Sequence, residues 1–541
     1  MSNSLLKQTV MQLREMTDED YDWLVHHAEG RCTVFQEIIN RRIVKEEDLH
    51  YALSKKLGYR LLAREMPRAD IDVVRLFPRN VLEKYCVLPL EISNQELVLA
   101  VYDPFELYVL EEIRQTVGLA LRVCLCGRKY IREGISYYYS DIDARNAARI
   151  AGVTADSGEA PAIKLVDAVL DHGYSVGASD IHIEPFGDET VIRLRVDGVM
   201  TDYAAAPGEI HSMIVARIKV MADLDIAEHR IPQDGNLVFL RDNEAVNLRV
   251  SVMPTVYGEK VVLRFLDFEA EIDNAGYYGM EEAAYKRLSR LLKAPNGMIY
   301  FTGPTGSGKS TTLYLILEEL AKQPVNICTI EEPVERRIPR VNQTAVNDAG
   351  VNFGVGLRAI LRQDPDIIMI GETRDPETAE IAVRAAMTGH LVLSTLHTTD
   401  AVASVDRLTD MGIAPYLVSG SLIGAVAQRL LRKVCTACAE ECFPTSEESE
   451  IIGREIRFIR RGKGCHLCNY TGYKGRIAIH ELFEVDSTVK EMIAQRKSTG
   501  ELRRYACSVQ GMKTLRQSAV ELVAKGLTTP EEVLRAVFFS E

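Results

Sequence analysis

Gly303-Pro304-Thr305-Gly306-Ser307-Gly308-Lys309-Ser310-Thr311 fits the pattern G-x-x-x-x-G-K-[ST] through Ser310. Its neighbours are of the right kind: an apolar, strand-like Met298-Ile299-Tyr300-Phe301 precedes it, and a helix-forming segment, Thr311 to Leu320, follows. Glycines at 303, 306 and 308 let the backbone curl so that its N–H groups point inward at phosphates. The helix N-terminus adds partial positive charge, Lys309 reaches the β/γ-phosphates, and the Ser310 hydroxyl can ligate Mg²⁺. Strand, phosphate loop and helix in that order predict an α/β domain that binds a nucleoside triphosphate.

Further strands end in polar groups at the spacing such a site needs. Cys328-Thr329-Ile330 runs into Glu331 and Glu332, and Ile367-Ile368-Met369-Ile370 runs into Gly371 and Glu372. Leu391 to Leu396 is bracketed by His390 and His397. In a parallel sheet the ligand crevice lies at the carboxyl ends of the strands, so these groups are predicted to face one cleft. Hydrolysis needs a carboxylate to position water. Glu372 is the candidate, with Glu331 or Glu332 completing the Mg²⁺ shell through water. Gly371 occupies the place where an aspartate often precedes such a glutamate. His397 either senses the γ-phosphate or is a core histidine.

Composition frames that site. The 541 residues suffice for about three to four domains. A formal net charge of −13 argues against a broad nucleic-acid-binding surface. The first residues lack an apolar signal core, so a cytoplasmic location is expected. The uncharged-looking window Met411 to Gln428 carries Gly412, Pro415, Gly420 and Gly424, which favours a buried or interfacial helix pair over a membrane span.

Two of the cysteine pairs stand apart from the rest: Cys435-Thr-Ala-Cys438 and Cys465-His-Leu-Cys468. Each C-x-x-C turns two thiolates onto one ion, so the four predict a closed, structural Zn²⁺ site. Cys442 and His466 are the alternative ligands.

Along the chain, residues 1–140 mix helices with short strands, with a break near Arg42 in the helical run Val34 to Lys56. Residues 141–160 lack an apolar period and read as a linker. A second domain over 161–275 opens on a helix bracketed by Pro161 and Gly173. It contains the alternating strands Thr190 to Val196, closed by the Asp197-Gly198 turn, and Val246 to Val252. The nucleotide core is placed at 279–434, the tetracysteine segment at 435–469, and a helical tail at 470–541.

Together the phosphate loop, Thr329-Ile330-Glu331-Glu332-Pro333-Val334-Glu335, Leu361 to Asp366, Gly371-Glu372 and Thr388-Gly389-His390 to His397 resemble the Walker A, Asp-box, Walker B and His-box motifs of the secretion ATPase superfamily. These are the hexameric motors of type II secretion and type IV pilus assembly. The likeness extends from roughly 160 onward and includes Ala178 to Pro185 and Arg230 to Gly235. It implies ATP hydrolysis by a RecA-like P-loop domain preceded by a PAS-like α/β domain. The cysteine segment is also a family feature. Residues from about 30 to 138 resemble the family's N-terminal α+β domain, which implies docking on an inner-membrane platform protein. In some relatives that domain binds cyclic di-GMP around a glycine between two helices. Arg42 stands at that place here, which argues against messenger binding. The resemblance also implies that Arg249 and Arg264, in Leu248-Arg249-Val250 and Leu263-Arg264-Phe265, approach the phosphates; salt bridges on a solvated sheet face are the plainer role. The type II secretion motor is the nearer match, with the pilus-assembly motor second.

Overall fold

The computed structural model describes residues 2–28, 32–62, 66–153, 160–241, 244–266, 278–347 and 350–537. They form two compact units, Met1–Phe268 and Glu269–Glu541.

The first unit begins with helices packed on a small sheet of β1 (Arg60–Leu61), β2 (Val87–Ser93), β3 (Glu96–Val101) and β4 (Ala120–Leu125), in the order β1-β4-β3-β2. Helix Val34–Asn40 is capped by the Thr33 hydroxyl, and the chain restarts as helix Glu46–Leu57. Arg42 lies in the turn between them with φ 55°, a left-handed conformation that favours glycine. The sequence break near Arg42 is thus a real one.

A second sheet follows: β5 (Ala178–Phe186), β6 (Glu189–Val196), β7 (Val199–Pro207), β8 (Gln233–Arg241), β9 (Glu244–Thr255) and β10 (Gly258–Phe265). Its order is β7-β6-β5-β10-β9-β8, antiparallel throughout. Alternation decides the faces. Ile192, Leu194, Val246, Leu248, Val250 and Val252 are buried against helices Ala160–Ser175 and His211–Met221, while Asn247 and Arg249 face solvent. Asp197 and Gly198, with φ of 50° and 82°, make the two-residue hairpin turn.

Two readings need correction in this unit. The stretch placed in a linker at 141–160 is helical as far as Val153, the end of helix Arg128–Val153; 154–159 lie outside the described residues. Asp141 in that helix is buried and accepts from Arg145 and Tyr203, so a local lack of apolar period hid a packed segment. Gly173 does not end its helix but sits inside Ala160–Ser175. A Cβ there would come within 2.7 Å of Ile181 on β5, so glycine permits the close approach of helix and sheet. The predicted domain end at 275 lies outside the described residues.

The second unit is built on seven strands: β11 (Gly297–Thr302), β12 (Ile327–Glu331), β13 (Asn342–Ala345), β14 (Ile367–Ile370), β15 (Leu391–Leu396), β16 (Leu422–Val434) and, after the two-stranded β17 (Ala439–Cys442) and β18 (Ile459–Gly462), β19 (Tyr473–Glu484). The order is β13-β12-β14-β15-β11-β16-β19, parallel except for β19. All six residues of β11 are buried: Met298 and Tyr300 enter the core on one face, Ile299 and Phe301 that on the other. This is the continuous apolar run of a strand covered on both sides.

The window Met411 to Gln428 holds one short helix, Pro415–Ser421, and then strand β16 rather than a second helix. Among the described residues no helix is long and apolar enough to cross a membrane. The nucleotide core does not close at Val434, because its sheet is completed by β19. The segment 470–541 therefore opens on a strand, and only its later part is the predicted helical tail, with helices Ser487–Ala494, Thr499–Ser508, Leu515–Ala524 and Pro530–Val537. Arg432 on β16 donates two hydrogen bonds to Glu532 on the last of these, fastening it to the sheet.

Candidate active site

β11 ends at Thr302 and the chain turns through the phosphate loop into helix Lys309–Leu320. The glycines are demanded by space as well as by backbone angle. Gly303 has φ 150°, and a Cβ on it would lie 2.6 Å from the Gln428 carbonyl and 2.9 Å from the Arg429 guanidinium. Gly308 has φ 87°, with Gln428 Nε2 2.8 Å from a Cβ position. Pro304, Thr305 and Gly306 form the exposed crest, and Thr311 is exposed on the first helical turn.

Lys309 is buried, and its ammonium donates to the carbonyls of Gly303 at 2.7 Å and Pro304 at 3.0 Å. Burial, reinforced by the nearby Arg429 charge, pulls it down to about 8. The Ser307 hydroxyl is buried without a hydrogen-bond partner. A buried, unpartnered hydroxyl and a lysine ammonium on the same loop fit a cradle for an anion. Ser310 is half-buried at the helix start, where its hydroxyl could hold Mg²⁺.

Glu372 lies two residues past the end of β14. Its backbone is fixed on both sides: Gly371 N–H donates to Ile330, the Thr395 hydroxyl donates to the Gly371 carbonyl, and Thr373 N–H donates to Thr395. A Cβ at Gly371 would meet the Glu331 Cα at 3.2 Å, so the sheet leaves little room for the absent aspartate. Its carboxylate receives Arg374 at 2.5 Å and lies 3.7 Å from His397 Nε2. His397 is half exposed, which removes the core-histidine alternative. Desolvation, then the Lys309 charge, lowers its proton affinity. The crevice at the strand ends thus gathers Lys309, Glu372 and His397.

The acidic pair divides. Glu331 is buried, and its carboxylate accepts from the hydroxyls of Tyr314 and Thr329 and from Gln343. Glu332 is exposed, 3.8 Å from Arg374. Of the two, Glu332 is the one open to a hydrated metal, and Glu331 is a buried hub.

Sequence reasoning missed Arg374, Gln428 and Arg429. Gln428 accepts from the Thr312 hydroxyl at 3.0 Å, and Arg429 reaches the loop after β15. The signal is a polar pair interrupting the apolar run Gly424-Ala425-Val426-Ala427, hidden because a continuous apolar run reads equally well as a helix.

Arg249 and Arg264 belong to the first unit and face each other across β9 and β10. Arg264 Nε lies 2.7 Å from buried Asp180, whereas Arg249 is only 3.9 Å from Asp234.

Cys435, Cys438, Cys465 and Cys468 converge, with their sulfurs all within 4.8 Å of one another. Cys435 and Cys465 are 3.9 Å apart, and Cys468 is 3.8 Å from both Cys438 and Cys465. A tetrahedral ion bound at about 2.3 Å separates its sulfurs by about 3.8 Å, so the four fit Zn²⁺. Cys442 sits apart on β17, and the side chain of His466 lies outside the described residues.

The profile of a family described as type II/IV secretion system protein matches residues 155–535, and one described as the MshEN domain matches 57–145. The chain is 46% identical over 381 residues to the type II secretion system ATPase E of Vibrio cholerae, covering 70% of this chain and 75% of that one. It is 36% identical over 556 residues to the type IV pilus assembly ATPase PilB of Myxococcus xanthus, covering 97% and 96%. The PilB of Thermus thermophilus is 39% identical over 91% of this chain, which spans 57% of that longer protein. The solved ATPase DotB of Legionella pneumophila superposes with a TM-score of 0.51 over 68% of this chain and 93% of its own, at 21% identity, a likeness of fold alone. With the family profile matching over most of its length and the phosphate loop, Glu372 and His397 gathered in one crevice, the chain belongs to the type II/IV secretion system family of ATPases.

Proposed function

We propose that this protein hydrolyses ATP in a homo-hexameric ring and powers pseudopilus assembly for type II secretion, docked through its N-terminal domain on an inner-membrane platform protein. The observation that carries the hydrolysis is Glu372, held by its neighbours at the strand ends beside Lys309. Glu372 polarises the attacking water. Lys309, released from the Gly303 and Pro304 carbonyls, pairs with the β/γ-phosphates, and His397 reads the γ-phosphate. Arg374 pairs with the Glu372 carboxylate at 2.5 Å, so it must release Glu372 for that step. Ser310 and Glu332 would hold Mg²⁺, which neutralises charge on the phosphates. The tetracysteine segment would hold Zn²⁺ structurally, with all four positions filled by thiolates.

The secretion reading is supported by the 46% identity of the Vibrio protein across the matched part. The second reading, a pilus-assembly motor, is favoured by the pilus ATPases aligning along 91% and 97% of the chain, N-terminal part included. Deleting the gene separates the two: loss of exported enzymes with pili intact supports the first, and loss of pili the second.

The chemistry has its own test. Glu372→Gln should bind Mg-ATP and turn it over about 10²–10⁴-fold more slowly in a steady-state phosphate assay. Wild-type turnover would remove Glu372 from the mechanism.

A further inference from the structure

Arg429 is a buried cation that the mechanism above leaves unused. It is 7% exposed, on β16, with its guanidinium packed against Gly303 at the root of the phosphate loop. One terminal nitrogen donates to the Gln428 carbonyl at 2.9 Å and the other to the Thr399 carbonyl. Both acceptors are backbone carbonyls. Asp400 and Glu481 act on it at longer range, and burial lowers its proton affinity from the usual arginine value. A desolvated guanidinium is costly to hold. A cation kept there for packing alone would be poorly spent, since an apolar side chain would serve.

What the guanidinium joins is informative. Thr399 belongs to the loop 397–401 that begins with His397. The other ties of that loop run to different elements. Thr398 N–H donates to the Thr302 hydroxyl at 2.8 Å, Arg503 donates to Asp400 at 2.6 Å, and Ala401 N–H donates to Glu481 at 3.0 Å. Arg429 is the charged tie at this junction, lying against the phosphate loop's first glycine beside the backbone bond from Gly303 N–H to Leu396. The planar fork spans two carbonyls in one rigid geometry, whereas an ammonium offers rotatable donors on a flexible stem.

We propose that Arg429 is a positioning residue for phosphoryl transfer, fastening the root of the phosphate loop to the 397–401 loop so that Lys309 and His397 are held in one frame. The inference rests on the hydrolysis reading above. Misplacing a reacting group by about 1 Å can cost about 10²-fold in rate, so the expected signature is in turnover rather than in nucleotide affinity.

The test compares wild type with Arg429→Gln, Arg429→Lys, His397→Ala and the Arg429→Gln/His397→Ala double variant. Fold is checked by thermal melting, Mg-ATP binding by equilibrium titration and kcat under conditions that assemble the ring. Arg429→Gln should keep Mg-ATP affinity within about threefold while kcat falls about 10²-fold. Arg429→Lys should recover only part of that loss. The double variant should be little slower than His397→Ala alone, because residues acting as one unit are not additive. Wild-type kcat in a folded Arg429→Gln protein overturns the assignment, and so does a double variant whose losses simply multiply. If Arg429→Gln does not fold, Arg429→Lys decides: kcat equal to wild type overturns the proposal, and a selective fall in kcat supports it. Wild-type protein that fails to bind Mg-ATP would instead sink the hydrolysis reading, and this inference with it.

Discussion

Glu331 and Glu332 are adjacent in sequence and chemically alike, yet the fold gives them opposite duties. Glu331 points into the sheet, where Tyr314, Thr329 and Gln343 all donate to it. Glu332 points to solvent beside Arg374. Removing the buried carboxylate strands donors that water cannot reach, at about 1–3 kcal/mol for each group left unsatisfied. Glu331→Ala should therefore lower the melting temperature clearly. Glu332→Ala should melt like wild type and show its defect as a raised Mg²⁺ requirement for turnover. Equal melting temperatures for the two variants would mean that the Glu331 hub contributes nothing. A sequence shows two carboxylates at a strand end; which one turns inward is set by residue parity and by partners such as Tyr314, on another element, that no local pattern names.

At the scale of elements, legibility follows how local the signal is. β11 and the phosphate loop are legible because glycine chemistry and an apolar run mark them directly. The hairpin at Asp197-Gly198 is legible for the same reason. β16 was not: both its faces are largely buried, so it has no alternation, and a uniform apolar run reads equally well as a helix. β19 was missed because its partner, β16, lies across the intervening cysteine segment, and only pairing identifies it. The same pairing makes a prediction about the cysteines. Their segment is an insertion between two antiparallel strands that are anchored in the main sheet. One Zn²⁺ per chain should be found by metal analysis and lost in Cys465→Ser. Proteolysis should then cut within 435–470 while the nucleotide domain keeps its Mg-ATP affinity, because β16 and β19 remain paired. Full zinc in Cys465→Ser would move the fourth ligand to Cys442 or His466. Loss of nucleotide binding on zinc removal would show that the clip supports the sheet itself.

At the scale of the whole molecule, the phosphate loop, Glu372 and His397 all lie in the second unit, and the candidate arginines lie in the first. Their surroundings distinguish the two arginines. Arg264 is paired with Asp180, a buried carboxylate that also has Arg195 at 3.6 Å. Arg249, directly opposite Arg264 in register, approaches Asp234 loosely at 3.9 Å. Two guanidinium groups facing each other across strands repel, and such a pair is unfavourable for the sheet by itself. Arg264 has a short contact to a buried carboxylate and Arg249 a long one to an exposed carboxylate, where a pair adds little, so the salt-bridge role explains Arg264 better than it explains Arg249. An arginine that completes a neighbour's or its own phosphate site late in the cycle is worth about 10³–10⁵ in rate. Arg249→Ala and Arg264→Ala should each fold and bind Mg-ATP, and each should lose most of its turnover under conditions that assemble the ring. Arg195 should keep Asp180 paired in Arg264→Ala, so a collapse of that variant's melting temperature is not expected. Asp180→Asn adds a control: it frees Arg264 without removing it, and should leave turnover measurable. Wild-type turnover in both alanine variants would leave these side chains as surface pairs, and the charge for the transition state would have to come from elsewhere, with Arg374, already touching Glu372, the first to test.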